Sequence, residues 1–128
     1  MIDFHLEPRS GVAPYMQLVH QVQQALRLGM LTVGDQLPTV KQVVSRIAIN
    51  PNTVLKAYRE LERQGLVTPR PGRGTFVTAT LAGTDPDTHT ELKTELQQWI
   101  TRARTAGLDD DALRALFDTT MRRNANAP

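Results

Sequence analysis

Asn50-Pro51-Asn52-Thr53-Val54-Leu55-Lys56-Ala57-Tyr58-Arg59-Glu60-Leu61-Glu62-Arg63-Gln64-Gly65 is the stretch on which the fold of this chain turns. Asn50 is a strong N-cap type, and Pro51 falls at the first helical position, where its missing N–H costs nothing and its fixed φ already suits a helix. Gly65 supplies the stop. On a wheel of about 100° per residue, Val54, Ala57, Tyr58 and Leu61 share one side, while Asn52, Lys56, Arg59 and Arg63 share the other. One face is built to be held, the other to hold something polar.

Upstream, Gly34-Asp35 and Pro38 punctuate a connection. Thr39 followed by Gln42 has capping-box spacing, and a helix with Val40, Val43, Val44 and Ile47 on one stripe follows, ending near Ala48-Ile49. Its β-branched residues are mediocre helix formers, so packing must hold it. The few residues before Pro51 force the two helices to cross steeply, the helix-turn-helix arrangement. Downstream, Leu66-Val67-Thr68 and Thr75-Phe76-Val77-Thr78 read as strands, with Pro69-Arg70-Pro71-Gly72-Arg73-Gly74 between them as a hairpin tip.

Further out, Tyr15, Leu18, Val19, Val22, Ala25 and Leu26 mark a helix from Pro14 to near Gly29, with glutamines on its polar side. Ile2, Phe4 and Leu6 alternate in an extended arm that lays three apolar side chains on the body. Three helices and a basic hairpin make a winged helix-turn-helix. Beyond it, Ala79 to Thr88 reads as a linker, and two helices follow. The first carries Leu92, Leu96, Trp99 and Ile100, the second Leu113, Leu116, Phe117 and Met121. Two such helices cannot bury a core alone, so those seven residues from Leu92 to Phe117 are candidates for a dimer interface with a second copy.

The expected class is mainly α with a small β-hairpin (α+β). Its domains are a winged helix-turn-helix at 1–78, a linker at 79–88 and a helical dimerisation tail at 89–128. These 128 residues leave no room for a second large ligand-binding domain. No apolar run approaches the roughly 18 residues of a membrane span, and the first residues lack a signal-peptide pattern, so a cytoplasmic location without membrane association is expected. With no cysteine there is no disulfide, thiolate nucleophile or cysteine-ligated zinc.

The net charge of +2 conceals an uneven distribution. From Gln36 to Thr78 seven cations face two carboxylates, leaving +5, whereas from Ala79 onward six cations face eight carboxylates, leaving −2. A basic helix face is commonly just solvated. Here it lies on the second helix of a pair, whose first turn contacts base edges when it enters the major groove. Asn52 can bond adenine bidentately, Thr53 can bond a base or touch a thymine methyl, and Lys56 can reach guanine or phosphate. Arg59 lies on the same face. At the wing, Arg70, Arg73, Gly74 and Thr75 suit a narrow groove, where arginine is drawn to the negative potential and glycine permits close backbone approach. Lys41 can contact phosphate, since the first helix of the pair crosses the backbone.

Nothing points to catalysis, a cofactor or a metal. His5, His20 and His89 are scattered without ligand spacing, and Asp109-Asp110-Asp111 is placed to favour the positive end of a helix.

Gly34-Asp35-Gln36-Leu37-Pro38-Thr39, Asn50-Pro51-Asn52-Thr53-Val54, Tyr58-Arg59-Glu60-Leu61-Glu62 with Gly65-Leu66-Val67, and Gly72-Arg73-Gly74-Thr75-Phe76-Val77 resemble, in order and spacing, the GntR family of bacterial transcription regulators. The Asn-Pro-Asn-Thr-Val wording and the short tail look like its YtrA-type subfamily. The resemblance implies a homodimer that binds a palindromic double-stranded DNA operator, usually to repress, through recognition helix 51–64 and wing 69–75. Lys41 departs from it, standing where the family usually has arginine. An effector is left unassigned: a two-helix tail is too small to enclose a metabolite pocket of about 300 Å³ within one subunit.

Overall fold

The computed structural model describes residues 2–83 and 86–125. Met1, Thr84, Asp85 of the expected linker and the last three residues of the expected tail lie outside the described residues. The chain separates into two compact units, Met1–Thr84 and Asp85–Pro128.

In the first unit, α1 (Pro14–Arg27) buries Leu18, Val19, Val22, Ala25 and Leu26. The arm before it packs Phe4 into the same core, with Ile2 and Leu6 partly covered. Two glutamines on α1 hold the arm's backbone as a neighbouring strand does. Gln21 accepts from the His5 N–H at 3.1 Å and donates to its carbonyl at 2.7 Å, and Gln17 does the same for Glu7 at 2.8 and 3.1 Å. Spaced by four residues, they lie one turn apart on one side of the helix.

Helix α2 (Val40–Arg46) starts as expected: Thr39 and Gln42 form a reciprocal capping box, at 3.1 and 2.9 Å. It ends earlier than its apolar pattern suggests. Ile47 is already extended and Val44 is exposed, so Val43 is its one fully buried residue. Seven residues make only two turns, which supports the view that packing rather than propensity holds this helix.

Helix α3 (Pro51–Arg63) is capped by Asn50, whose side-chain oxygen accepts from the Asn52 N–H at 2.8 Å. Its buried residues are Val54, Ala57, Tyr58 and Leu61, the stripe expected from the sequence. At its end Gly65 takes φ +77°, and the Leu66 N–H reaches back to the Leu61 carbonyl at 3.1 Å, closing the last turn. Tyr58 ties α3 to the entry of α2 by donating its hydroxyl to the buried Pro38 carbonyl at 2.6 Å. Burial pushes this hydroxyl well above its ordinary pKa. The unfolded chain therefore ionises first, and stability falls as pH rises past about 10. Tyr58→Phe is expected to cost about 1–3 kcal/mol at neutral pH, by orphaning that carbonyl, and to flatten the alkaline decline. Urea denaturation at pH 7 and above pH 10 checks both.

The hairpin pairs β1 (Val67–Arg70) with β2 (Gly74–Val77), from Val67 opposite Val77 to Arg70 opposite Gly74. Pro69 and Arg70 thus belong to a strand, and the tip narrows to Pro71-Gly72-Arg73. Proline is tolerated there because β1 is the outer strand. Residues 34–37 lie along the other edge of β2, with bonds of 2.8 to 2.9 Å between Gly34, Asp35 and Leu37 and the backbone of Val77 and Thr75.

The second unit contains α4 (Pro86–Thr105) and α5 (Asp110–Ala125). The first of these begins inside the expected linker, with Pro86 as its first residue and Asp87 in its first turn. Gly107 turns the chain at φ +103°, Asp109 caps α5 by accepting from the Ala112 N–H at 2.8 Å, and Arg104 pairs with Asp110 at 2.9 Å.

Candidate nucleic-acid interface

With Val54, Ala57 and Leu61 fully buried, α3 turns Asn52, Leu55, Lys56 and Arg59 outward. Among the described residues the Asn52 side chain makes no hydrogen bond, so both its donor and its acceptor are open to a ligand. Thr53 is half-buried beside it. Lys56 is steered: its Nζ stands 4.1 Å from the centroid of the Tyr15 ring, at the start of α1. Such a contact contributes roughly 0.5–1 kcal/mol at an exposed site and limits where the ammonium can reach.

Arg59 lines a groove of about 370 Å³ formed by the start of α2, the outer side of α3 and the hairpin. Thr39 and Val40 contribute one wall and Gly74 and Thr75 the other, with Leu55 and Glu62 between. Among the expected contacts, then, Arg59, Gly74 and Thr75 converge on one depression. Asn52 and Lys56 lie outside it, nearer the start of the helix. Lys41 is exposed in the first turn of α2.

Arg63, on the polar side of α3, is engaged within its own helix. It donates to Glu60 at 2.7 Å, and this bond holds the Glu60 carboxyl down to about pKa 2. Paired within its own helix, Arg63 offers little net charge outward.

On the wing, the Arg70 guanidinium lies over the Phe76 ring, 5.0 Å from its centroid. The turn is braced from outside the hairpin: Gln36 donates from Nε2 to the Arg73 carbonyl at 3.0 Å. Gly74 has φ +123°, and a Cβ there would overlap the end of the Gln36 side chain. Glycine at this position therefore serves both the backbone angle and the passage of Gln36. Sequence reasoning assigns no part in the interface to Gln36 or Leu55, and places Tyr15 only on the apolar stripe of α1. For the contacts of Gln36 and Tyr15 no local signal exists, because their partners lie 37 and 41 residues away; Leu55 could have been noticed as a leucine off the apolar stripe.

The fold that carries this helix and hairpin is similar to that of known proteins. Residues 14–77 match the family model of bacterial regulatory proteins of the gntR family. The chain belongs to the GntR family. It is 37% identical over 109 residues, 84% of each chain, to the HTH-type transcriptional repressor YtrA of Bacillus subtilis (strain 168). Among solved structures, this GntR protein resembles a transcriptional antiterminator of Listeria monocytogenes EGD-e, at 30% identity and a TM-score of 0.60, over 94% of this chain and 90% of that one. It also resembles the AraR DNA-binding domain in complex with operator ORX1, at 25% identity and a TM-score of 0.52, over 59% of this chain and 93% of that one. The protein is a transcription regulator with a winged-helix DNA-binding domain. No helix among the described residues is long and apolar enough to cross a membrane.

Proposed function

We propose that this GntR protein is a homodimeric repressor that sets one winged helix on each half of a palindromic operator. The observation that carries the proposal is the outward face of α3, where Asn52, Lys56 and Arg59 are all exposed while the opposite face is locked into the core. Asn52 and Thr53 read base edges, Lys41 and Arg59 hold phosphate or guanine, and Arg70, Arg73, Gly74 and Thr75 enter the adjacent minor groove or follow its phosphates. Repression follows the function named for the Bacillus subtilis relative.

A footprint on the DNA upstream of the protein's own gene tests the reading. A protected palindrome is expected, and Asn52→Ala should weaken it by about 1–3 kcal/mol while relaxing preference at one base pair. Equal losses on operator and random DNA would contradict base readout by Asn52.

Residues 89–128 supply the second copy. Leu92, Leu96, Leu116, Phe117 and Met121 are 45–56% exposed within one chain. Trp99 and Ile100 are half-buried. Leu113 differs in degree: at 7% exposure it is largely covered by its own chain, and what remains of its surface faces the groove between α4 and α5. The open groove between α4 and α5, about 360 Å³ and lined by Leu96, Trp99 and Phe117, is better filled by a partner's helix than by a small effector, which needs enclosure. Phe117→Ala is expected to shift the protein toward monomer in sedimentation, and an unchanged dimer would remove that assignment.

A further inference from the structure

Leu55 has no place in the fold. It is 38% exposed in the middle of α3, and it belongs neither to the buried core nor to the partly covered residues packed against that core. Single exposed leucines are ordinary on protein surfaces. This one stands between two polar side chains on the same strip, with Asn52 three residues before it and Arg59 four after. Its near surroundings in the groove are carbon-rich, with Val40 and Pro69 among the lining residues. The reading face of α3 therefore carries one apolar contact point inside a polar surface. A major groove offers four kinds of base edge, and the single apolar group among them is the C5-methyl of thymine.

We infer that Leu55 is a specificity-determining residue that selects thymine in each operator half-site by covering its methyl group. The inference rests on the operator-binding function proposed above and adds to it a base identity. Asn52, one turn nearer the start of the helix, reads a neighbouring base pair by hydrogen bonds, so the two together specify adjacent positions. Because cytosine has no such methyl and presents an amino donor in the same region, a leucine there leaves that donor without a partner and disfavours it.

The test is chemical and uses the full-length protein on the operator defined by footprinting. Each thymine in one half-site is replaced in turn by uracil, which removes only the methyl and keeps every hydrogen-bonding group. Wild-type protein is expected to lose about fourfold in affinity at one thymine, the loss set by roughly one methylene-sized group no longer buried. Leu55→Ala should bind more weakly and should not distinguish thymine from uracil at that position, whereas Leu55→Met, which keeps an apolar reach, should retain the distinction. Identical responses of wild type and Leu55→Ala to every uracil overturn the inference while leaving operator binding intact. Absence of any protected site overturns the underlying function, and the inference with it.

Discussion

Leu61→Ala is expected to lower the stability of the N-terminal unit by about 2–5 kcal/mol, the range for truncating a fully buried leucine. Leu61 has no exposed surface, and its carbonyl accepts the Leu66 N–H that closes α3 and leads the chain into β1. The substitution thus opens a cavity at the place where helix and hairpin meet. Small domains hold about 5–15 kcal/mol in all, so this is a large part of the total. Operator binding should fall as well, since the packed face of α3 is what aims Asn52 and Thr53. Leu55→Ala is the internal control: the same chemical change on the opposite face should alter stability by no more than about 0.5 kcal/mol. Denaturant unfolding of both variants decides the matter, and equal losses would mean that the two faces of α3 have been assigned wrongly.

Operator affinity is expected to fall about a thousandfold or more between roughly 50 and 200 mM salt, as for a protein making on the order of 6 to 10 phosphate contacts. The cations available for this are Lys41, Lys56, Arg59, Arg70 and Arg73 in each copy, doubled in the proposed dimer. Arg73→Ala should weaken binding across sequences and reduce the salt slope by about one for each phosphate that the arginine neutralises. Arg63→Ala should change the slope little, because Arg63 already serves Glu60. A titration across salt concentrations for the three proteins checks this ordering. A slope near zero for the wild type would sink the electrostatic part of the proposed function.

The two predictions draw on features of different legibility. The buried stripe of α3 is readable from spacing alone, because a helix repeats every 3.6 residues and apolar positions must then share a side. The ends of the helices are legible for the same local reason. Thr39 with Gln42, Asn50 with Pro51, and Gly65 each act on backbone groups within a few residues of themselves. Charge is harder to read. A formal count credits Arg63 to the DNA-facing surface, but a carboxylate three residues away cancels it.

Boundaries depend on competition between neighbours. Helix α2 stops at Arg46 although the apolar pattern runs on to Ile47 and Ile49, since its β-branched residues accept the extended conformation as readily as the helical one. Pro69 and Arg70 read as turn residues because proline and glycine crowd that stretch, yet an outer strand has a free edge and can accommodate a proline.

The sequence by itself determined the elements, their order, the inward faces of α1 and α3 and the family, since all of these follow from periodicity and capping over short distances. Only the tertiary structure decided how the reading surface is aimed. Gln36 braces the Arg73 carbonyl across 37 residues, Tyr15 holds Lys56 across 41, and the glutamines of α1 bind the arm 10 and 16 residues away. Each of these joins segments whose closeness exists only once the core has formed. No local pattern in the chain can encode that closeness, because it is produced by the packing of the elements.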